Sequence, residues 1–173
     1  MVISKEDFYC PLCGSLLKKR DKRLRIHRLA GGETEWYQIN RLKCSNEECG
    51  RLHNELPDSI SPYKHYDTQL IEDVVDGVVS EEDVECEDYP CEQTMNHWKY
   101  WMQINEDHID GEMKSTADRL LDLGIEFARS TDSLLKELRI KVSPGWLKIV
   151  NWFLYNAGGG LVPHPAQVIC TYF

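Results

Sequence analysis

Cysteine stands at positions 10 and 13 and again at 44 and 49, and glycine follows each pair, at Gly14 and Gly50. Thiolates at these spacings can close a tetrahedral sphere around Zn2+, making a structural site with no position left for chemistry. The glycines let the backbone turn tightly enough for its N–H groups to face the sulfurs. The spacing therefore predicts one zinc ion held by Cys10, Cys13, Cys44 and Cys49. A disulfide framework is the weaker reading, because the chain has seven cysteines and opens without a basic, apolar leader. That opening sets cytoplasmic as the expected location. His53 follows Cys49 by four residues and reads as a strand residue facing solvent or hydrogen-bonding near the site, rather than as a ligand in place of Cys49. Cys86 and Cys91 read as incidental thiols, and Cys170 as a small apolar residue.

Strands must bring the two cysteine pairs together. Leu24–Leu29 alternates apolar and basic residues, Ala30–Gly32 signals a turn, and Glu35–Lys43 returns as a strand into the second pair. Arg51–Leu56 supplies a third strand. Such a sheet is too small to stand alone, and structural zinc can contribute on the order of 10 kcal/mol to its folding. Pro57–Tyr63 breaks the pattern and marks a boundary. Beyond it the periodicity is helical. Asp67 or Thr68 caps a helix with Leu70, Ile71, Val74, Val75 and Val78 on one face. A second helix starts near Cys91 with Met95, Trp98, Trp101 and Met102 inward, and Asp107–Gly111 is a candidate break. Met113, Ala117, Leu120, Leu121 and Ile125 continue the burial pattern, Thr131 caps a short helix, and Pro144 opens the last one. The fold class that follows is α+β: a zinc-ribbon β-sheet over 1–58, then an all-helical domain of four or five helices over 63–173. Tyr63 and Tyr66 are expected to pack the two together. Trp98, Trp101, Trp146 and Trp152 fall on core stripes, whereas Trp36 and Tyr37 in the ribbon could expose rings for stacking.

Charge divides the chain. Residues 1–55 carry 11 Lys and Arg against 8 Asp and Glu, while the total is −9. The cations concentrate between Lys18 and Arg28. Ten acids and no Lys or Arg lie between Glu72 and Glu92, a run that reads as solvated surface. A basic ribbon beside an acidic helical part suits a polyanion on one side only.

The segments Cys10–Cys13, Arg41–Asp58, Pro62–Tyr66, Ile71–Val75 and Tyr89–Trp101 resemble a family of small bacterial proteins of unknown function. These carry an N-terminal zinc ribbon and are frequent among genes of mobile elements. The second half of that stretch also resembles the helix-turn-helix at the start of many transposases. The resemblance covers roughly residues 8–104 and implies zinc binding and association with DNA. Where the transposase pattern places arginines before Trp98, this chain has Asn96 and His97. Gln93, Asn96 and Lys99 are left as the residues that could read base edges.

The leading expectation is thus a zinc-binding, DNA-binding accessory or regulatory protein of a bacterial mobile element. Lys18, Lys19, Arg20, Lys22, Arg23 and Arg25 anchor phosphates in this reading. The alternative is a protein–protein adaptor using the ribbon and an acidic helical face. No Walker loop, dinucleotide fingerprint or acid–base–nucleophile constellation is present, so neither an enzyme nor a small-molecule substrate is expected. No apolar run approaches the roughly 20 residues of a membrane span.

Overall fold

The computed structural model describes residues 7–30, 32–83 and 90–155. It has the expected α+β order: a three-stranded antiparallel sheet, then five α-helices. Strand β1 (Leu17–Arg28) pairs with β2 (Thr34–Cys44), and β2 with β3 (Leu52–Asn54). The first strand begins seven residues earlier than its apolar alternation indicates. Backbone pairing carries it to the cysteine end, where Leu17 sits opposite Cys44. The register slips between Lys19 and Asp21, leaving Arg20 as the extra residue of a bulge. The third strand is shorter than expected, confined to the three residues that find partners on β2.

Paired residues share a face of a sheet, so the register sorts the side chains. One face carries Asp21, Arg23, Arg25 and His27 opposite Arg41, Ile39, Tyr37 and Glu35. The other carries Lys19, Lys22, Leu24 and Ile26 opposite Leu42, Asn40, Gln38 and Trp36.

Residues 57–67 are not a loose linker. Ile60 bridges Asp67, and Tyr66 pairs in parallel with Arg28, whose amide and carbonyl bond to His65 and Asp67. The Arg25 guanidinium donates to the Lys64 carbonyl. His27 is 2% exposed, with Nδ1 3.4 Å from Glu35 and Nε2 3.0 Å from Asp67. Asp67 also caps α1 (Thr68–Val75) by accepting from the Gln69 amide. One carboxylate therefore ties the sheet to the first helix. Tyr66 continues the link, with Arg28 on one side and the Trp98 ring 5.1 Å away. Tyr63 lies 6.3 Å from the Tyr155 ring.

Helix α2 (Glu92–Leu121) runs unbroken through Asp107–Gly111, the candidate break. Ile109 and Met113 are buried on the same stripe as Met95, Trp98 and Met102. Burial of that stripe outweighs the low helix propensity of one exposed glycine. Asp110 serves a different end: it accepts from the Ser133 hydroxyl and the Leu135 amide, and pairs with Lys114 at 2.8 Å. The short α3 (Ile125–Ala128) leads to α4 (Leu134–Lys141), capped by Ser133 rather than Thr131. Helix α5 (Trp146–Tyr155) begins two residues after Pro144.

Three further expectations are corrected here. Leu120 and Leu121 are exposed, as the end of α2 runs past the core, and so is Ile125 at the start of α3. Trp152 is 47% exposed and outside the core that holds Trp98, Trp101 and Trp146. The acidic run is not uniformly solvated: Glu72 is 1% exposed, accepting the Gly145 and Leu147 amides at 2.6 and 2.8 Å. A carboxylate there satisfies orphan donors at the start of α5 and complements its dipole. Asp76 accepts from the Trp146 indole at 2.8 Å and pairs with Arg139. Cys86, Cys170 and the Pro163–Pro165 tail lie outside the described residues.

Candidate metal centre and the basic strand

Two knuckles converge at one end of the sheet. In the first, Gly14 N–H donates to the Cys10 carbonyl and Cys10 N–H to the Ser15 carbonyl, each at 2.8 Å. Gly14 adopts φ +70°, a left-handed conformation that an L side chain would strain. In the second, Gly50 N–H donates to the Asn46 carbonyl at 2.8 Å and Cys44 N–H to the Arg51 carbonyl at 2.9 Å. The Ser45 amide reaches the Leu16 carbonyl at 3.0 Å, joining the two turns.

The four sulfurs so placed lie within 4.8 Å of one another. Cys10 and Cys49 are 3.8 Å apart, and Cys13 and Cys44 3.4 Å. Sulfurs around a tetrahedral ion with bonds of about 2.3 Å would sit about 3.8 Å apart. All four are free thiols, so the donor set fits a thiophilic divalent ion and can close its sphere. The electrostatics point the same way. Backbone and hydroxyl hydrogen bonds from Ser15 bring Cys13 down to about 6, while burial pushes Cys44 up to about 12. The Arg51 amide pulls Cys49 down, but burial and the neighbouring sulfurs hold it above the ordinary thiol value. Four thiolates cannot share so small a volume without a cation. His53 Nε2 stands 3.4 Å from Cys10 Sγ, where it can orient that sulfur. Burial, then Arg51, lowers its pKa below the ordinary histidine value.

The proposed phosphate anchors do not form one patch. Lys19 and Lys22 project from one face of β1, Lys18 and Arg23 from the other, and Arg20 occupies the bulge. All five are exposed. Arg25 differs: half-buried, it donates to the Lys64 carbonyl and fastens the connector to the sheet. Gln93 and Asn96 are exposed near the start of α2, with Asn96 3.5 Å from Glu92, and Lys99 lies 3.9 Å from Glu81. Between α1 and α2 run residues 76–91, far longer than the three- or four-residue turn of a helix-turn-helix. The described residues therefore do not supply that motif's turn. Of the two ribbon aromatics, Tyr37 donates its hydroxyl to Glu35 at 2.8 Å and lies 5.2 Å from the His27 ring. Trp36, on the opposite face, is 62% exposed.

Sequence reasoning missed His27 and Glu72. His27 falls in a basic alternation that masks its burial, and Glu72 belongs to an acidic run with no local sign of its distant amide partners. No helix among the described residues is long and apolar enough to cross a membrane.

Fold and site together define a protein with a ribbon whose four clustered cysteines could hold a metal ion, joined to helices that share one core. The chain belongs to the family described as a domain of unknown function, DUF6431, whose model matches residues 10–98. That match begins at Cys10, the first cysteine of the cluster, and ends at Trp98, where Tyr66 packs. No curated protein and no solved structure matches the chain.

Proposed function

We propose that this is a zinc protein that binds DNA as an accessory or regulatory factor, with the ribbon as its contact surface. The observation that carries the reading is β1: five exposed cations along one strand, Lys18, Lys19, Arg20, Lys22 and Arg23, held extended in a sheet that ends at the four-cysteine cluster. Such an array on a protein of net charge −9 concentrates attraction for phosphate in one element. The thiolate set and sulfur spacing favour zinc, in a structural role. Gln93, Asn96 and Lys99 play a smaller part than expected, because Glu81 and Glu92 stand beside them. Service in a bacterial mobile element rests on the resemblance, and a cytoplasmic location goes with that service. Neither an enzymatic activity nor a small-molecule substrate is part of the proposal.

Salt titration of binding to duplex and single-stranded DNA tests it. Affinity should fall linearly on logarithmic axes, and replacing Lys18, Lys19, Lys22 and Arg23 by glutamine should flatten the slope by about 0.9 for each phosphate no longer neutralised. Absence of binding at low salt by folded, zinc-loaded protein would reject the reading.

One observation favours a protein-docking role instead. The first knuckle and its surroundings expose Tyr9, Leu12 and Leu52, apolar groups that a partner could cover. If DNA binding fails, an adaptor using this surface is the reading that remains.

A further inference from the structure

We propose that the outward face of the β1–β2 hairpin binds single-stranded DNA, with a base stacked on Trp36 and the phosphates passing Lys22 and Lys19. This deepens the reading that the ribbon binds DNA and rests on it. Trp36 is 62% exposed and Leu24 61%. Both stand on the same face of the hairpin, where Ile26 pairs with Trp36 and Gln38 with Leu24. An indole exposed this far on a rigid strand, bordered by apolar side chains, offers a flat platform to an unpaired base. From Ile26 to Lys22 the strand rises about 13 Å, so the cations follow the platform along one line toward the metal end.

Charge selects the occupant. On this face the two strands contribute Lys19, Lys22 and Arg28 and no acid, although the chain as a whole is acidic. Arg28 is engaged by Tyr66. Glu55, opposite Asn40, brings one carboxylate to this face, where it accepts from Asn40 Nδ2. A ligand matching the surface is therefore anionic and carries exposed aromatic faces. A duplex hides its base faces by stacking, whereas a single strand presents them. The opposite face is unsuited, because the connector ties to Arg25 and His27 and Glu35 holds the Tyr37 hydroxyl.

Fluorescence anisotropy with labelled oligothymidine and a duplex of matching length tests this, using the zinc-loaded full chain. Oligothymidine should bind more tightly than the duplex. Trp36→Ala should weaken oligothymidine binding by about tenfold or more and leave duplex binding within about twofold, since phosphate contacts dominate there. Trp36→Phe should retain most of the affinity, and Tyr37→Phe all of it. Zinc content and circular dichroism confirm that each variant is folded. Duplex preference, or equal binding by the wild type and Trp36→Ala, would overturn the inference while leaving a DNA-binding ribbon. Failure of both probes would overturn that reading as well. Tighter binding to an oligouridine ribonucleotide, or a dimer dissolved by Trp36→Ala in sedimentation, would assign the face to RNA or to a second copy and equally reject the proposal.

Discussion

At the scale of single residues, the four thiols are set apart by their surroundings. Cys44 held near 12 is protonated at neutral pH, whereas Cys13 near 6 is largely thiolate. Binding a divalent ion must displace the protons of the two raised thiols, Cys44 and Cys49, so affinity should fall as pH falls. Calorimetric titration with zinc in buffers of different ionisation enthalpy should show about two or more protons released per ion at pH 7. Release of none would mean that the thiols are not the ligands. His53→Ala should keep one ion per chain but weaken its retention against a chelator by about 10- to 100-fold, because no imidazole then orients the Cys10 sulfur. An unchanged chelator competition would make His53 a bystander. The clustering of the four cysteines was legible in the sequence because knuckle spacing is local. The role of His27 was not, because its partners Glu35 and Asp67 lie 8 and 40 residues away.

Among the elements, long-range capping governs how the helices meet. Glu72 on α1 receives two amides at the start of α5, and Asp110 on α2 receives the Ser133 hydroxyl and the Leu135 amide at the start of α4. Each carboxylate does for a distant helix what a local cap does for its own. Glu72→Ala should cost about 3 kcal/mol in urea unfolding, because two buried donors lose a charged acceptor. Glu81→Ala, at an exposed turn, should stay within about 0.5 kcal/mol. Equal effects would show that burial of Glu72 carries no energetic weight. Burial opposes ionisation of Asp110, yet Lys114, the Leu135 amide and Ser133 hold it below the ordinary carboxyl value. A depressed carboxyl contributes stability above its unfolded pKa and loses it as pH falls through the folded one. Asp110→Asn should therefore flatten the loss of stability between about pH 4 and the acid limit; an unaltered acid limb would contradict the assignment. Periodicity located the apolar stripes of α1 and α2, but could not show that one stripe continues through Gly111. Nor could it show which acids cap helices elsewhere, since that depends on packing between segments.

For the whole molecule, the two halves differ in what holds them together. The helical part has a continuous core from Ile71 on α1, through Trp98, Ile109 and Met113 on α2 and Leu135 on α4, to Trp146 and Leu154 on α5. The sheet buries far less: Ile39, Leu42, Cys10 and Cys44, with Ile60 added by the connector. Its order is therefore expected to depend on an ion held by the four cysteines and on the His27–Asp67 and Arg28–Tyr66 links. Stripping the metal should dissolve the strands and leave the helices. After chelation, far-ultraviolet circular dichroism should keep the helical minima, while amides of 17–44 lose their protection from hydrogen exchange. Near-ultraviolet signals from the buried Trp98, Trp101 and Trp146 should persist, with some change from Trp98 as Tyr66 loosens. Loss of all these signals in one step would instead make the connector rigid enough to couple the two parts into one cooperative unit. Restoring zinc should return protection to both knuckles together, because the Ser45–Leu16 bond joins them at the same end of the sheet.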